Sequence, residues 1–288
     1  MQRVGICGSD VHFKQHGGIG DYKVKSPIIL GHESSGVVSA VGANVQHLKV
    51  GDRVAIEPGV PCRKCKFCKQ GRYNLCANCF FLACPPDDGS LRRYHCHAAD
   101  FCFKLPDKVS LDEGALMEPL SVAIHACLRA GLKLGDKVLV LGAGPIGLVC
   151  LMTSKAMGAA KVAITDIQDD RLSVANRLGA SACIKIDESD PQKMAEKIHT
   201  TLGWKPDITI ECSGVESSFQ MGIYGSQGYT FIFPLFRYPT ALSMIADGLV
   251  DVKPLITHRF SLKESAEAFN TAETCKDNAI KVMIHCDE

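Results

Sequence analysis

The sequence predicts an α/β protein in two parts, a doubly wound parallel sheet preceded by a region of small β-strands. Three observations carry that expectation. From Lys137 onward, apolar runs of strand length alternate with helix-length segments, the pattern of βαβ units. The first hundred residues are instead rich in Gly, Pro and Val with short alternating runs, the texture of small strands joined by turns. A glycine turn, Gly142-Ala143-Gly144-Pro145-Ile146-Gly147, joins the first strand of the alternating part to its first helix.

Size and composition bound the rest. A length of 288 residues with 46% apolar content accommodates two buried cores. Lys+Arg 32 against Asp+Glu 31, with no long block of one sign, gives no electrostatic footprint for nucleic acid or an anionic membrane. A small molecule bound in a pocket is the expected partner. The longest uncharged stretch, 138–154, is broken by three glycines and a proline, so it reads as strand, turn and helix rather than a membrane span. The N-terminus has no charged segment leading into an apolar core, so a secretory signal is not expected and a cytoplasmic location is. The 15 cysteines then read as thiols or thiolates rather than as a disulfide framework.

The elements follow in order. Alternation at 36–41 and 52–56 predicts strands, and Ser110-Leu111-Asp112-Glu113 is a capping box that opens a helix. Beyond it the pattern predicts a strand at 138–141, a helix over 145–157 ended by Gly158, and a strand at 162–165. A helix over 171–178 ended by Gly179, a strand at 182–186, a helix over 191–202 and a strand at 208–212 come next. A helix over 216–224 precedes a strand-like run at 229–233 cut by Pro234. A second capping box, Ser261 with Glu264, opens a helix to about 275, and a strand at 280–284 closes the chain. No internal repeat or low-complexity linker interrupts this order.

The glycine turn has a mechanical reading as a dinucleotide site. Gly142 permits the tight turn, Gly144 lets backbone approach a pyrophosphate, and Gly147 lets the helix pack on the strand, while the helix N-terminus offers free amides to phosphate. Pro145 suits a first-turn position that needs no amide donor. Asp166, nineteen residues beyond Gly147 and at the end of the next strand, suits a ribose 2′-hydroxyl and repels a 2′-phosphate, favouring NAD over NADP. Arg171 reads equally as a residue over the adenosine or as a solvated helix arginine.

Cys62, Cys65, Cys68 and Cys76 carry a second chemistry. Four thiolates at this spacing close around one tetrahedral zinc ion with no open position, so the site is structural. Cys79, Cys84, Cys96 and Cys102 lie near without that spacing and read as single cysteines. Cys7, His32 and Glu33 are candidates for a second metal site, but no short regular spacing ties them together. Taken alone, the same residues also read as two core side chains and a surface acid.

The motifs Gly5-Ile6-Cys7-Gly8-Ser9-Asp10-Val11-His12, Gly31-His32-Glu33, Gly51-Asp52-Arg53-Val54, the four-cysteine lobe, Glu118-Pro119-Leu120-Ser121, the glycine turn and Phe236-Arg237-Tyr238 together resemble the zinc-containing medium-chain dehydrogenase/reductase family, in particular its polyol-oxidising members. The resemblance implies an incomplete GroES-like β-barrel catalytic domain at 1–120, a shortened Rossmann NAD-binding domain at 121–235, and a segment at 236–288 that returns to the catalytic domain. It places the catalytic zinc on Cys7, His32 and Glu33, with Glu118 close by and Asp10 orienting His32. It implies hydride transfer from a polyol secondary alcohol to NAD, giving a ketose, and the reverse. Ser9 and His12 fall at positions that pass the proton to solvent, and Phe13, Glu118, Arg237 and Tyr238 at substrate positions. Ile146, Leu235, Phe236 and Arg237 fall with the glycine turn, Asp166 and Arg171 at cofactor positions. From the residues alone, Arg237 and Tyr238 read as a surface turn.

The chain departs from the family pattern in three places. It begins just before the Cys7 motif, where relatives carry further barrel strands, so an open barrel is expected. The stretch 223–235 replaces a longer segment that includes a nicotinamide contact and the edge strand through which this homo-oligomeric family associates. Phe13 stands where the polyol enzymes usually have tyrosine, and loss of that hydroxyl removes one polyol hydrogen bond. Two readings follow: a working zinc- and NAD-dependent dehydrogenase, or a truncated, catalytically impaired relative that keeps zinc and partial NAD binding.

Overall fold

The computed structural model describes residues 1–225, the backbone of 228–231, and residues 237–287. The chain divides into two compact units, Met1–Glu118 with Tyr238–Glu288, and Pro119–Arg237. No helix among the described residues is long and apolar enough to cross a membrane.

The first unit is built on a six-stranded sheet in the order Ile256–Ser261, Lys281–His285, Arg3–Gly5, Glu33–Val37, Arg53–Ile56, Cys102–Lys104. Its pairs are antiparallel apart from the parallel pair Ile256–Ser261 with Lys281–His285. The two outermost strands are not paired with each other among the described residues, so the sheet is open. One face is apolar: Val4 lies opposite Ile284, and both pack with Ile6, Val282 and Phe269 in a buried cluster. On the other face Gly5 lies between Met283 and Glu33. Because strand residues alternate faces, Lys281 shares the side of Met283 and Glu33.

Two differences from the sequence reading arise here. The expected strand at 36–41 is instead Glu33–Val37. The alternation of Val38 to Val41 belongs to a turn, because Val38 exchanges backbone hydrogen bonds with Asp52 and Gly51 and the ladder stops there. The N-terminal region is also not all β: Gly8–His16 is a helix. Its capping box uses Cys7 and Asp10, the Asp10 carboxylate accepting from the Cys7 amide at 3.0 Å, and Gly17 ends it at φ 64°.

The second unit is a five-stranded parallel sheet in the order Ala182–Lys185, Lys161–Asp166, Lys137–Leu141, Ile208–Glu211, Gly228–Phe231. The chain runs outward from Lys137–Leu141 on one side and then crosses to Ile208–Glu211 on the other. That reversal makes a switch point at the C-terminal ends of those two strands, where ligands of such sheets bind. The helices Pro145–Ala156, Asp169–Arg177, Pro191–Leu202 and Glu216–Gly225 connect the strands. Met194, Ala195, Ile198 and Met221 pack on Leu139, Leu141, Ala163 and Ile184. Asp190 caps its helix by accepting from the amides of Gln192 and Lys193, with Pro191 at the first turn.

Candidate active site

The sheet register of the first unit builds a cluster of charged groups under cover. Cys7, His32 and Glu33 bring one ligand atom each to within 4.8 Å of one another. Cys7 caps the helix Gly8–His16 and Glu33 opens the strand Glu33–Val37, so both sit where an element begins. Asp10 is 1% exposed. One of its carboxylate oxygens accepts from the Gly31 amide at 2.9 Å and lies 3.4 Å from Nδ1 of His32. Burial works to raise the Asp10 carboxyl, but His32 and the amides of Cys7 and Gly31 hold it below the usual carboxylate range. Burial likewise opposes charge on His32, and the Asp10 carboxylate overrides it, raising the imidazole well above its ordinary value. With Nδ1 turned to Asp10, Nε2 is the ring atom that remains to offer a metal.

Glu33 is fully buried and both its oxygens accept from Lys281 Nζ at 2.7 Å. Lys281 is 3% exposed and also donates to the Ile6 carbonyl at 3.2 Å. The reach is possible because Gly5 separates the two strands on that face. A Cβ on residue 5 would lie 2.4 Å from a Glu33 oxygen. Burial would lower the Lys281 ammonium, but the Glu33 charge raises it above its ordinary value. Glu118, near the start of the helix Met117–Arg129, is raised to about 7 by burial; the charge of Glu33 adds to this and that of His32 opposes it.

The second cluster is the four-cysteine lobe, whose Cys62, Cys65, Cys68 and Cys76 sulfurs also lie within 4.8 Å of one another. Cys65 Sγ is 3.4 Å from Cys68 Sγ, and Cys62 Sγ accepts from the amides of Lys64 and Cys65 at 3.5 and 3.4 Å. Those amides pull the Cys62 thiol down to about 6, whereas burial pushes Cys68 up to about 12. The donor chemistry of both clusters fits zinc. Four sulfurs close a tetrahedral site, and a Cys–His–carboxylate set leaves a position open.

The lobe is anchored to the sheet through groups that sequence patterns do not mark. Tyr73 donates its hydroxyl to Glu57 and lies edge-on to Phe101, and Arg63 forms a bidentate pair with Asp100 at 2.8 and 3.0 Å. Glu57 is 2% exposed and burial raises it from 4.5 to about 7, against the opposing hydrogen bond from Tyr73. A raised carboxyl favours the fold while neutral, so its contribution is present below pH 4.5 and lost as pH rises through about 7. Glu57→Gln, which keeps a neutral acceptor for Tyr73, is expected to match the native protein near pH 4.5 and to exceed its stability at pH 8 by about 3 kcal/mol. Denaturant midpoints across that range check this, and a pH-independent difference would contradict it.

In the second unit the glycine turn has the shape its residues require. Gly142 adopts φ 98°, and a Cβ on Gly147 would lie 1.8 Å from the Gly142 carbonyl oxygen, so a side chain there would drive the helix off the strand. Gly144 caps the helix Pro145–Ala156, and Ile146 is half-buried in its first turn. Asp166 ends its strand 7% exposed, accepting from the Ala143 amide at 2.7 Å and the Gln168 amide at 2.9 Å. Arg171 Nη1 lies 3.9 Å from the same carboxylate.

The remaining expected positions are spread differently. Ser9 is half-buried and His12 exposed on the helix Gly8–His16, whereas Phe13 is 8% exposed. Arg237 is exposed. Tyr238 is 1% exposed, donates its hydroxyl to the Ile56 carbonyl at 2.8 Å and stacks on Phe103 with centroids 5.2 Å apart. That departs from a surface turn. Leu235 and Phe236 lie outside the described residues. Sequence reasoning passes over Lys281 and Glu57. A lysine inside an otherwise apolar closing strand is the one signal that marks the first.

A sheet carrying a buried Cys–His–Glu cluster, with a four-cysteine lobe and a dinucleotide turn in the same chain, defines a zinc-containing, NAD-dependent oxidoreductase. Residues 1–107 match the alcohol dehydrogenase GroES-like domain and residues 145–231 match zinc-binding dehydrogenase. The chain belongs to the zinc-containing medium-chain dehydrogenase/reductase family, close to the sorbitol dehydrogenases. It is 53% identical to sorbitol dehydrogenase of Bos taurus over 315 aligned positions, which take in 100% of this chain and 88% of that protein. The aligned length exceeds the 288 residues by 27, so that relative carries at least 27 residues opposite gaps in this chain. A crystal structure of an Escherichia coli oxidoreductase/dehydrogenase of unknown specificity matches with a TM-score of 0.91 at 35% identity, covering 100% of this chain and 90% of the other. Escherichia coli L-idonate 5-dehydrogenase matches with 0.89 at 29%, covering 99% and 89%. The whole chain aligns, and nothing in these similarities favours the impaired relative over the enzyme.

Proposed function

We propose that the protein oxidises a secondary hydroxyl of sorbitol or a similar sugar alcohol with NAD, giving a ketose, NADH and a proton, and runs the reverse reaction. The observation that carries this reading is the convergence of Cys7, His32 and Glu33 on one point, in a chain 53% identical to a sorbitol dehydrogenase. Zinc, when bound, supplies a Lewis acid that makes a hydroxyl acidic near neutral pH, and NAD, when bound, supplies the hydride acceptor.

The chain's own residues do the rest. Cys7, His32 and Glu33 hold the catalytic metal, and Asp10 fixes the His32 ring through Nδ1. Lys281 balances the Glu33 charge. Glu118, 6% exposed, is assigned to proton exchange with the substrate hydroxyl. Ser9 and the exposed His12 give that proton a route to solvent, and Phe13, Arg237 and Tyr238 are assigned to the polyol side. The amides at the start of the helix Pro145–Ala156 hold the pyrophosphate, Asp166 the adenosine ribose, and Ile146, Arg171, Leu235, Phe236 and Arg237 the rest of the cofactor. Cys62, Cys65, Cys68 and Cys76 hold the structural zinc. None of the fifteen cysteines is in a disulfide among the described residues, which fits a reducing compartment, and the cytoplasm is the proposed location.

The test is the growth of reduced-nicotinamide absorbance on mixing purified, zinc-loaded protein with NAD and sorbitol, with and without a chelator. Chelator-sensitive reduction of NAD supports the reading. A fully zinc-loaded chain that reduces no NAD with sorbitol, xylitol or ribitol would sink it.

A further inference from the structure

We propose that Glu211 is a positioning residue for the nicotinamide half of the cofactor, acting through the loop Ser213-Gly214-Val215. The inference rests on the dinucleotide reading of the glycine turn and assigns a role to a group that the proposed chemistry does not otherwise use.

Glu211 ends the strand Ile208–Glu211 directly opposite Leu141, at the C-terminal edge of the sheet where the strand order reverses. It is 5% exposed, and no lysine or arginine pairs with it among the described residues. Its carboxylate is instead filled by the chain that follows. One oxygen accepts from the Ser213 amide at 2.7 Å, from the Ser213 hydroxyl, and from the Gly214 amide at 3.1 Å, and the other oxygen accepts from the Gly214 amide at 3.1 Å. Ser213 Oγ in turn accepts from the Val215 amide at 3.2 Å, and Gly214 turns the chain at φ 72°. A side chain, not a backbone ladder, therefore sets the course of this loop.

The loop lies against the glycine turn. A Cβ on Gly142 would meet the Ser213 nitrogen at 3.2 Å and the Cys212 carbonyl carbon at 3.3 Å, and the Cys212 amide donates to Leu141 at 2.8 Å. Two acids thus flank the turn from neighbouring strands. Asp166, on the Lys161–Asp166 side, accepts from the turn itself through Ala143, and Glu211, on the other side, accepts from its own loop. A dinucleotide lying across a switch point places its two halves over the two sides of the central strand. With Asp166 on the adenosine side, the Glu211 loop forms the wall on the nicotinamide side. Holding a wall within a few tenths of an ångström of its bound position lowers the ordering cost of binding.

Glu211→Gln tests this in the full-length, zinc-loaded protein. Glutamine keeps one oxygen for the Ser213 and Gly214 amides and turns a donor toward the Gly214 N–H in place of the second oxygen. Dissociation constants are measured for NADH and for ADP-ribose, which keeps the adenosine and pyrophosphate but lacks nicotinamide. The expected result is NADH binding weakened about tenfold or more with ADP-ribose within about threefold of native, and native thermal stability without cofactor falling by less than the NADH-bound value. Equal weakening of both ligands, or of neither, would overturn the proposal. If the glutamine variant does not fold, Ser213→Ala removes one donor to Glu211 and is expected to weaken NADH selectively by about threefold. No selective loss in that variant would equally overturn it. A native protein that binds no ADP-ribose overturns the dinucleotide reading itself, and with it this proposal.

Discussion

Cys7→Ser is expected to leave the chain with one zinc ion in place of two and to lower turnover about 10³-fold or more, with the fold retained. The magnitude follows from removing a Lewis acid that contributes several kcal/mol at the reacting oxygen. The fold survives because Cys7 contributes no apolar burial beyond its half-buried side chain, and the helix after it keeps the Asp10 carboxylate on the Cys7 amide. Cys62→Ser is expected to act in the opposite sense. Its sulfur accepts two lobe amides and lies 3.9 Å from Cys68 Sγ, so the lobe loses the metal that closes it and folding yield falls. Metal analysis, turnover and thermal midpoints on both variants check the contrast. Equal unfolding by both would contradict the division into a catalytic and a structural site.

Lys281→Met is expected to destabilise the zinc-stripped protein by about 3–5 kcal/mol, since it strands a fully buried carboxylate. Zinc supplies positive charge to the same carboxylate, so the penalty is expected to shrink in the zinc-loaded protein. The double variant Glu33→Gln with Lys281→Met is expected to recover most of the loss, because neither charge is then left bare. Denaturant unfolding of the four proteins with and without zinc measures the coupling. A single variant no less stable than native in the zinc-stripped form would show that the pair contributes nothing to holding Glu33.

The two halves of the chain were unequally legible for a physical reason. In the second unit each strand and helix announces itself locally. Residues 145–157 read as a helix, and the structure gives Pro145–Ala156; residues 208–212 read as a strand, and the structure gives Ile208–Glu211. Periodicity, a capping proline and a closing glycine are all contained within one element. The first unit lacks such signals where it matters most. Its strand Glu33–Val37 carries Glu33, Ser34 and Ser35 buried, polar residues on both of its faces, so its residues do not alternate apolar with polar. The helix Gly8–His16 is capped by a cysteine with an aspartate three residues on, a pairing outside the usual serine or threonine with glutamate.

The candidate site shows the same limit. Cys7, His32 and Glu33 have no short spacing, and only the antiparallel register of Arg3–Gly5 with Glu33–Val37 brings them together. Lys281 is 248 residues from Glu33, a separation that no local pattern spans. The four-cysteine lobe was legible because its ligands are close in sequence, but its anchor through Glu57, Tyr73 and Arg63 joins separate segments. Glu211 falls inside the expected strand at 208–212, and only its hydrogen bonds to Ser213 and Gly214 give it a task.

The most direct test of the central claim is stepwise zinc reconstitution of the stripped protein, with bound zinc per chain and sorbitol-dependent NAD reduction measured on the same samples. The claim predicts saturation at two zinc ions per chain in the native protein and at one in Cys7→Ser, with sorbitol-dependent turnover in the native protein alone. Two zinc ions per chain in Cys7→Ser, or native-like turnover by that variant, would contradict it.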